Sequence, residues 1–94
     1  MDAQELTLHI AANLGRVCRW ALEKREDRVA QFLQETEEYL QELEKAPKNE
    51  QFQETFETFK NNFEKLKGNV QLDKYWAEDI LTWANILTHR AKLA

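Results

Sequence analysis

Residues 50–68 read EQFQETFETFKNNFEKLKG. Within them Phe52, Phe56, Phe59, Phe63 and Leu66 follow at intervals of 4, 3, 4 and 3 residues, and everything between is polar or charged. At about 100° per residue these five side chains share a narrow arc of one helical face. Phenylalanine is a mediocre helix former, so its repetition here serves burial rather than propensity. Each buried ring contributes roughly 1.5–3 kcal/mol, an upper value because the unfolded chain already hides part of that surface. A single helix with such a stripe is unstable in water. The flanking segments must therefore supply faces that cover it.

Just before this stretch, Ala46-Pro47-Lys48-Asn49 is the clearest break in the chain. Proline disfavours helix at the residue preceding it, and Asn49 is suited to cap the helix that follows. That helix is expected over about 50–67, with Glu50 and Glu54 early and Lys65 and Lys67 late, as the helix dipole prefers. Gly68 suits a left-handed position just past its end. A last helix is expected from about 72 to 92, turning Trp76, Ile80, Trp83, Ala84, Leu87 and Ala91 inward. Tyr75, Ile86 and Leu93 form a second line more than a quarter turn away.

Toward the N-terminus, Asp2 and Glu5 match a capping box for a helix over about 3–25. Ala3, Thr7, Ile10, Ala11, Leu14, Val17, Cys18, Ala21 and Leu22 then occupy one side, and several of them are small enough for a neighbour to come close. Gly15 at the edge of that side would permit near contact. Trp20 falls well off the centre of the arc, beside Asn13 and His9. The run Glu23-Lys24-Arg25-Glu26-Asp27-Arg28 interrupts the pattern, and Asp27 is placed to cap a helix over about 28–45. Its inward residues are Val29, Phe32, Leu33, Thr36, Tyr39, Leu40 and Leu43. The interrupting run has no Gly, Pro or Asn. One continuous helix over 3–45, roughly 65 Å long, is therefore the alternative, and it would require a dimer to cover its apolar face. The preferred architecture is an all-α, antiparallel up-down four-helix bundle forming one domain over residues 1–94.

Composition narrows function by exclusion. The chain has 43% hydrophobic residues with 2 Gly and 1 Pro, too apolar for a disordered tail and too poor in turn residues for a β-sandwich. No stretch approaches the length of a membrane span, and Asp2 and Glu5 sit where a signal peptide carries positive charge. One cysteine excludes an internal disulfide and suits a reducing compartment, so a cytoplasmic location is expected. The net charge is −4, with the excess concentrated at 29–45, where five glutamates face only Lys45. Without a basic stripe to neutralise phosphates, nucleic-acid binding is not expected.

Chemistry finds little to work with. There is no Glu-x-x-His motif of a di-iron bundle, and His9 and His89 both lie away from the apolar faces. Cys18 points into the core, and the chain has no serine. Glu35, Glu38 and Glu42 share the outward face of the second helix, a solvated surface or a dock for a basic partner, rather than a desolvated acid–base pair. No catalytic, cofactor-binding or metal-ligating residue is expected. Trp20 and the line Tyr75, Ile86, Leu93 are candidate interface residues, because the main faces do not account for them. They would merge into one patch if the first and last helices were neighbours. The expected function is a small acidic, non-catalytic protein-binding or regulatory adaptor docking through a helix face, to itself as a homodimer or to another protein. The alternative is a carrier of an apolar ligand or cofactor within the aromatic core.

Overall fold

The computed structural model describes residues 1–94 and contains four α-helices: α1 (Ala3–Leu22), α2 (Glu26–Lys45), α3 (Glu50–Gly68) and α4 (Lys74–Arg90). A short 3₁₀ turn over Ala91–Leu93 follows α4. The helices form an up-down bundle with extents of 37 × 20 × 19 Å. Its first end is set by the capping box read from the sequence. The Glu5 N–H donates to Asp2 Oδ1 at 2.8 Å, and the Asp2 N–H donates to Glu5 Oε1 at 3.3 Å.

A turn at Glu23–Arg25 separates α1 from α2, which excludes the continuous 3–45 helix. Lys24 adopts a left-handed backbone, φ 56°. The Arg25 N–H donates to the Trp20 carbonyl at 2.9 Å and the Lys24 N–H to the Ala21 carbonyl at 3.1 Å. This pair of bonds is a Schellman motif built on lysine where glycine is usual, at a cost of roughly 1–2 kcal/mol. The Lys24 ammonium also donates to the Leu72 carbonyl, tying the turn to the approach to α4. Because α1 stops at Leu22, that residue is 55% exposed rather than core. Asp27 is not the cap. It lies inside the first turn of α2, held by a two-pronged bond from Arg25 at 3.2 Å, while Arg25 occupies the cap position.

Among the other helix ends, α4 has an ordinary Asp cap, whereas the C-terminal ends of α2 and α3 receive side chains with no sequence signature. Lys48 donates to the carbonyls of Leu43, Glu44 and Ala46 at 2.7, 3.0 and 2.9 Å, so one ammonium serves the orphaned carbonyls at the end of α2. Asn49 precedes α3 but makes no capping bond, and its amide instead donates to the Ala94 carbonyl at 3.3 Å. Gly68 is the last residue of α3 with no positive φ. The carbonyl of Leu66 there receives the indole N–H of Trp76 at 3.1 Å. Asp73 caps α4 through the Trp76 N–H at 2.9 Å.

The phenylalanine stripe is core: Phe52, Phe56, Phe59 and Phe63 are at most 1% exposed. Opposite it, α1 lies close to both α2 and α4 along their lengths, while α3 stands off. Side-chain size accounts for this. The inward faces of α1 and α4, with the turn that follows, include Ala3, Ala11, Ala21, Ala77, Ala84 and Ala91, all buried, and small residues let backbones approach. Benzyl groups hold α3 outward. Gly15 plays no part in the close approach, since a methyl group there would meet nothing within 4 Å.

Candidate functional site

The four helices have four seams; the two flanking α3 are wide, and one of these lies between α3 and α4. Two clefts open along it, of about 440 and 290 Å³, and Trp83 lines both. Trp83 is half-buried rather than core, because α3 stands off far enough to leave its outer edge in water. Its inner edge meets Phe59, with ring centroids 5.4 Å apart. Tyr75, 68% exposed, lines the larger cleft, and Ile86 the smaller. The middle of the groove is formed by Thr55, Thr58 and Asn62 from α3 with Thr82, Trp83 and Ile86 from α4. None of these six is charged. Charge returns only toward the ends, with Asp73, Asp79 and Lys65 beside Tyr75 and with Arg90 and Glu54 beyond Ile86.

The other flank of α3 is different. Lys67 reaches Glu37 of α2 at 2.9 Å, and Lys60 pairs with Glu44 of the same helix. These hydrogen bonds raise both lysine pKa values above the ordinary range. Ion pairs span that seam, where a cleft of about 340 Å³ opens with Glu37, Gln41, Glu44, Lys60 and Glu64 in its lining.

Trp20 belongs to the seam between α1 and α2, on the far side of the bundle from Tyr75 and Ile86. The guanidinium groups of Arg19, Arg25 and Arg28 lie 5.2, 5.6 and 5.8 Å from its ring. Arg16 lies 5.9 Å from the ring of Phe32, and His9 stacks on Tyr39 at 5.3 Å. The pairs Trp20–Arg28, Arg16–Phe32 and His9–Tyr39 are placed symmetrically about Lys24, as antiparallel helices leaving a tight turn require. Phe32 and Tyr39 are therefore half-buried under α1 residues and not in the main core. Asn13 is 3% exposed; its Oδ1 accepts from Arg16 at 2.8 Å, and its Nδ2 is buried without an acceptor.

α1 and α4 are indeed neighbours, yet Trp20 does not merge with Tyr75 and Ile86, because each looks away from the shared α1/α4 contact. Leu93 is half-buried in the 3₁₀ turn, at the opposite end of α4 from Tyr75. Glu38 and Glu42 are exposed and Glu35 half-buried, and none forms an ion pair. Cys18 is buried, and burial, then the nearby Glu78, pushes its thiol pKa up, so the reactive thiolate is disfavoured. No three His, Cys, Asp or Glu side chains converge as a metal site, and no helix is long and apolar enough to cross a membrane. A spacing argument would have found Trp83, which continues the Tyr75, Asp79 and Ile86 line. Nothing in the sequence announced the arginines around Trp20. No protein-family model matches the chain, and comparison with curated proteins and with solved structures returns no match.

Proposed function

We propose that this chain is a small, non-catalytic protein-binding module that receives an amphipathic helix of another protein in the α3/α4 groove. The observation that carries this reading is the uncharged, aromatic-bearing centre of that groove. Specific protein interfaces are distinguished by loss of charge and gain of Trp and Tyr at their core, with charge at the rim. Trp83 and Tyr75 are the anchors, and Ile86 extends the apolar floor. Asp73 and Asp79 at one end favour a ligand helix with a Lys or Arg at the matching end, although Lys65 and Lys74, whose ammonium lies 5.2 Å over the Tyr75 ring, offset part of that charge. The acidic balance of the chain adds steering toward such a partner. A single buried cysteine suits work in the reducing cytoplasm.

A phage-displayed library of helical peptides, panned against the folded protein, tests this. Enriched peptides should carry apolar residues at i, i+3 or i+4 and i+7 with a basic residue at one end. Ile86→Ala or Trp83→Ala should weaken their binding by about tenfold or more. Failure to enrich any such peptide, or binding indifferent to both substitutions, would refute the reading. Native mass spectrometry of protein taken directly from cells separates it from the carrier alternative, which requires a co-purifying small molecule.

A further inference from the structure

The α1/α2 face has a charge arrangement of its own. At the turn end, Arg19, Arg25 and Arg28 stand around Trp20, and Arg16 lies over Phe32. Arg19 is paired with Glu23 and Arg25 with Asp27, but Arg16 and Arg28 have no carboxylate partner and bond only to Asn13 and Gln31. The far end of the same face holds Asp2, Glu5, Glu38 and Glu42, none ion-paired, against one cationic side chain, Lys45, and Glu35 sits midway. The half-buried rings of Phe32 and Tyr39 lie between the two ends. One face thus carries a basic half and an acidic half with aromatic surface in the middle.

We infer that a second copy of this chain docks on the α1/α2 face, antiparallel, about a two-fold axis passing near Asn13 and Glu35. A surface with opposite charge at its two ends is complementary to itself turned end for end, which is the condition for an isologous dimer contact. The register supports the axis. Arg28 and Glu42 lie seven residues on either side of Glu35. Rotation about Glu35 therefore sets Arg28 against the second copy's Glu42. On α1 the same axis is level with Asn13, which brings Arg19 within one helical turn of the second copy's Glu5. A single basic or acidic partner would match only half of this face. The inference does not depend on the α3/α4 groove, which lies on the opposite side.

The pairing is tested by charge reversal, read as solution mass by light scattering at about 100 µM protein and low salt. The unaltered chain should show twice the monomer mass, falling toward monomer as salt rises to about 0.5 M. Arg28→Glu alone and Glu42→Arg alone should each give monomer. A mixture of those two single variants should recover the dimer, because both contacts then join opposite charges, and so should the doubly reversed chain. The reversed positions lie on the exposed surface, and circular dichroism checks that each variant keeps its helices. Glu35 meets its own copy at the axis, so Glu35→Gln should tighten the dimer severalfold. Trp83→Ala should leave the mass unchanged. A monomer under all conditions, or a dimer indifferent to the reversals, would overturn the inference. So would reversals that fail to rescue one another, or a dimer lost on Trp83→Ala alone.

Discussion

The α1/α2 and α3/α4 seams lie on opposite sides of one small bundle, and side-chain size makes them different surfaces. Between α1 and α2 the helices lie close, and the outer edge is closed by arginine–ring contacts and the His9–Tyr39 stack. Between α3 and α4 the phenylalanines hold the backbones apart, and the gap opens as a groove floored by Trp83. The residues that create the core thus also create the cleft. Small inner residues bring helices together and leave charge to decorate the outside. Large ones keep helices apart and leave troughs, uncharged at mid-length beside α4 and spanned by ion pairs beside α2.

The strongest way to break this comparison is to remove a ring. Phe59 touches both Phe63 and Trp83, with centroids 5.5 and 5.4 Å away, and is 1% exposed. Phe59→Ala should cost about 3–5 kcal/mol in urea unfolding, from lost transfer energy plus the cavity left behind. A loss below about 1 kcal/mol would mean that the ring does not hold α3 in place.

That much was readable in advance. The intervals between the phenylalanines define one face whatever the neighbours do, and capping at Asp2 needs only Glu5 three residues on. What escaped the sequence depends on distances between helices. Trp83 and Phe32 have core spacing, but whether a ring at the edge of an apolar arc is covered depends on how far off the next helix stands. The turn at Lys24 escaped for a different reason, since it is held by backbone bonds and a left-handed lysine with no turn-forming residue to mark it. Asn13, set beside the polar edge of α1, is buried because Arg16 folds back onto it and α2 approaches closely. Leu22 has the right phase for burial but lies where the helix ends.

Intermediate effects sharpen the account at the helix ends. Lys48→Met keeps much of the side chain's apolar length over Phe56, which lies 4.7 Å from the ammonium, but removes three donors to the end of α2. A loss of about 1–2 kcal/mol is expected, since bonds from a charged donor are stronger than neutral ones. An unchanged urea midpoint would show that water serves those carbonyls equally well.

The smallest effect runs the other way. Gly15 is helical, half-exposed and faces open space, so Gly15→Ala should raise stability by about 0.5–1 kcal/mol through helix propensity alone. A destabilised variant would mean that the close packing of α1 extends to this edge. Thiol labelling gives an independent reading of the same tight region. Cys18 should react more than about tenfold more slowly in the folded chain than in urea, and equal rates would contradict its burial.

The tryptophans separate the groove from the opposite face, because Trp83 and the hydrogen-bonded Trp76 line the α3/α4 clefts and Trp20 lies among the arginines. An NMR titration following their indole N–H signals, with a peptide selected against the folded protein, tests the assignment of partner binding to the groove most directly. The Trp83 signal should move in proportion to binding while Trp20 stays fixed at constant protein concentration. Movement of Trp20 with Trp83 unchanged would place the partner on the wrong side of the bundle and contradict the account.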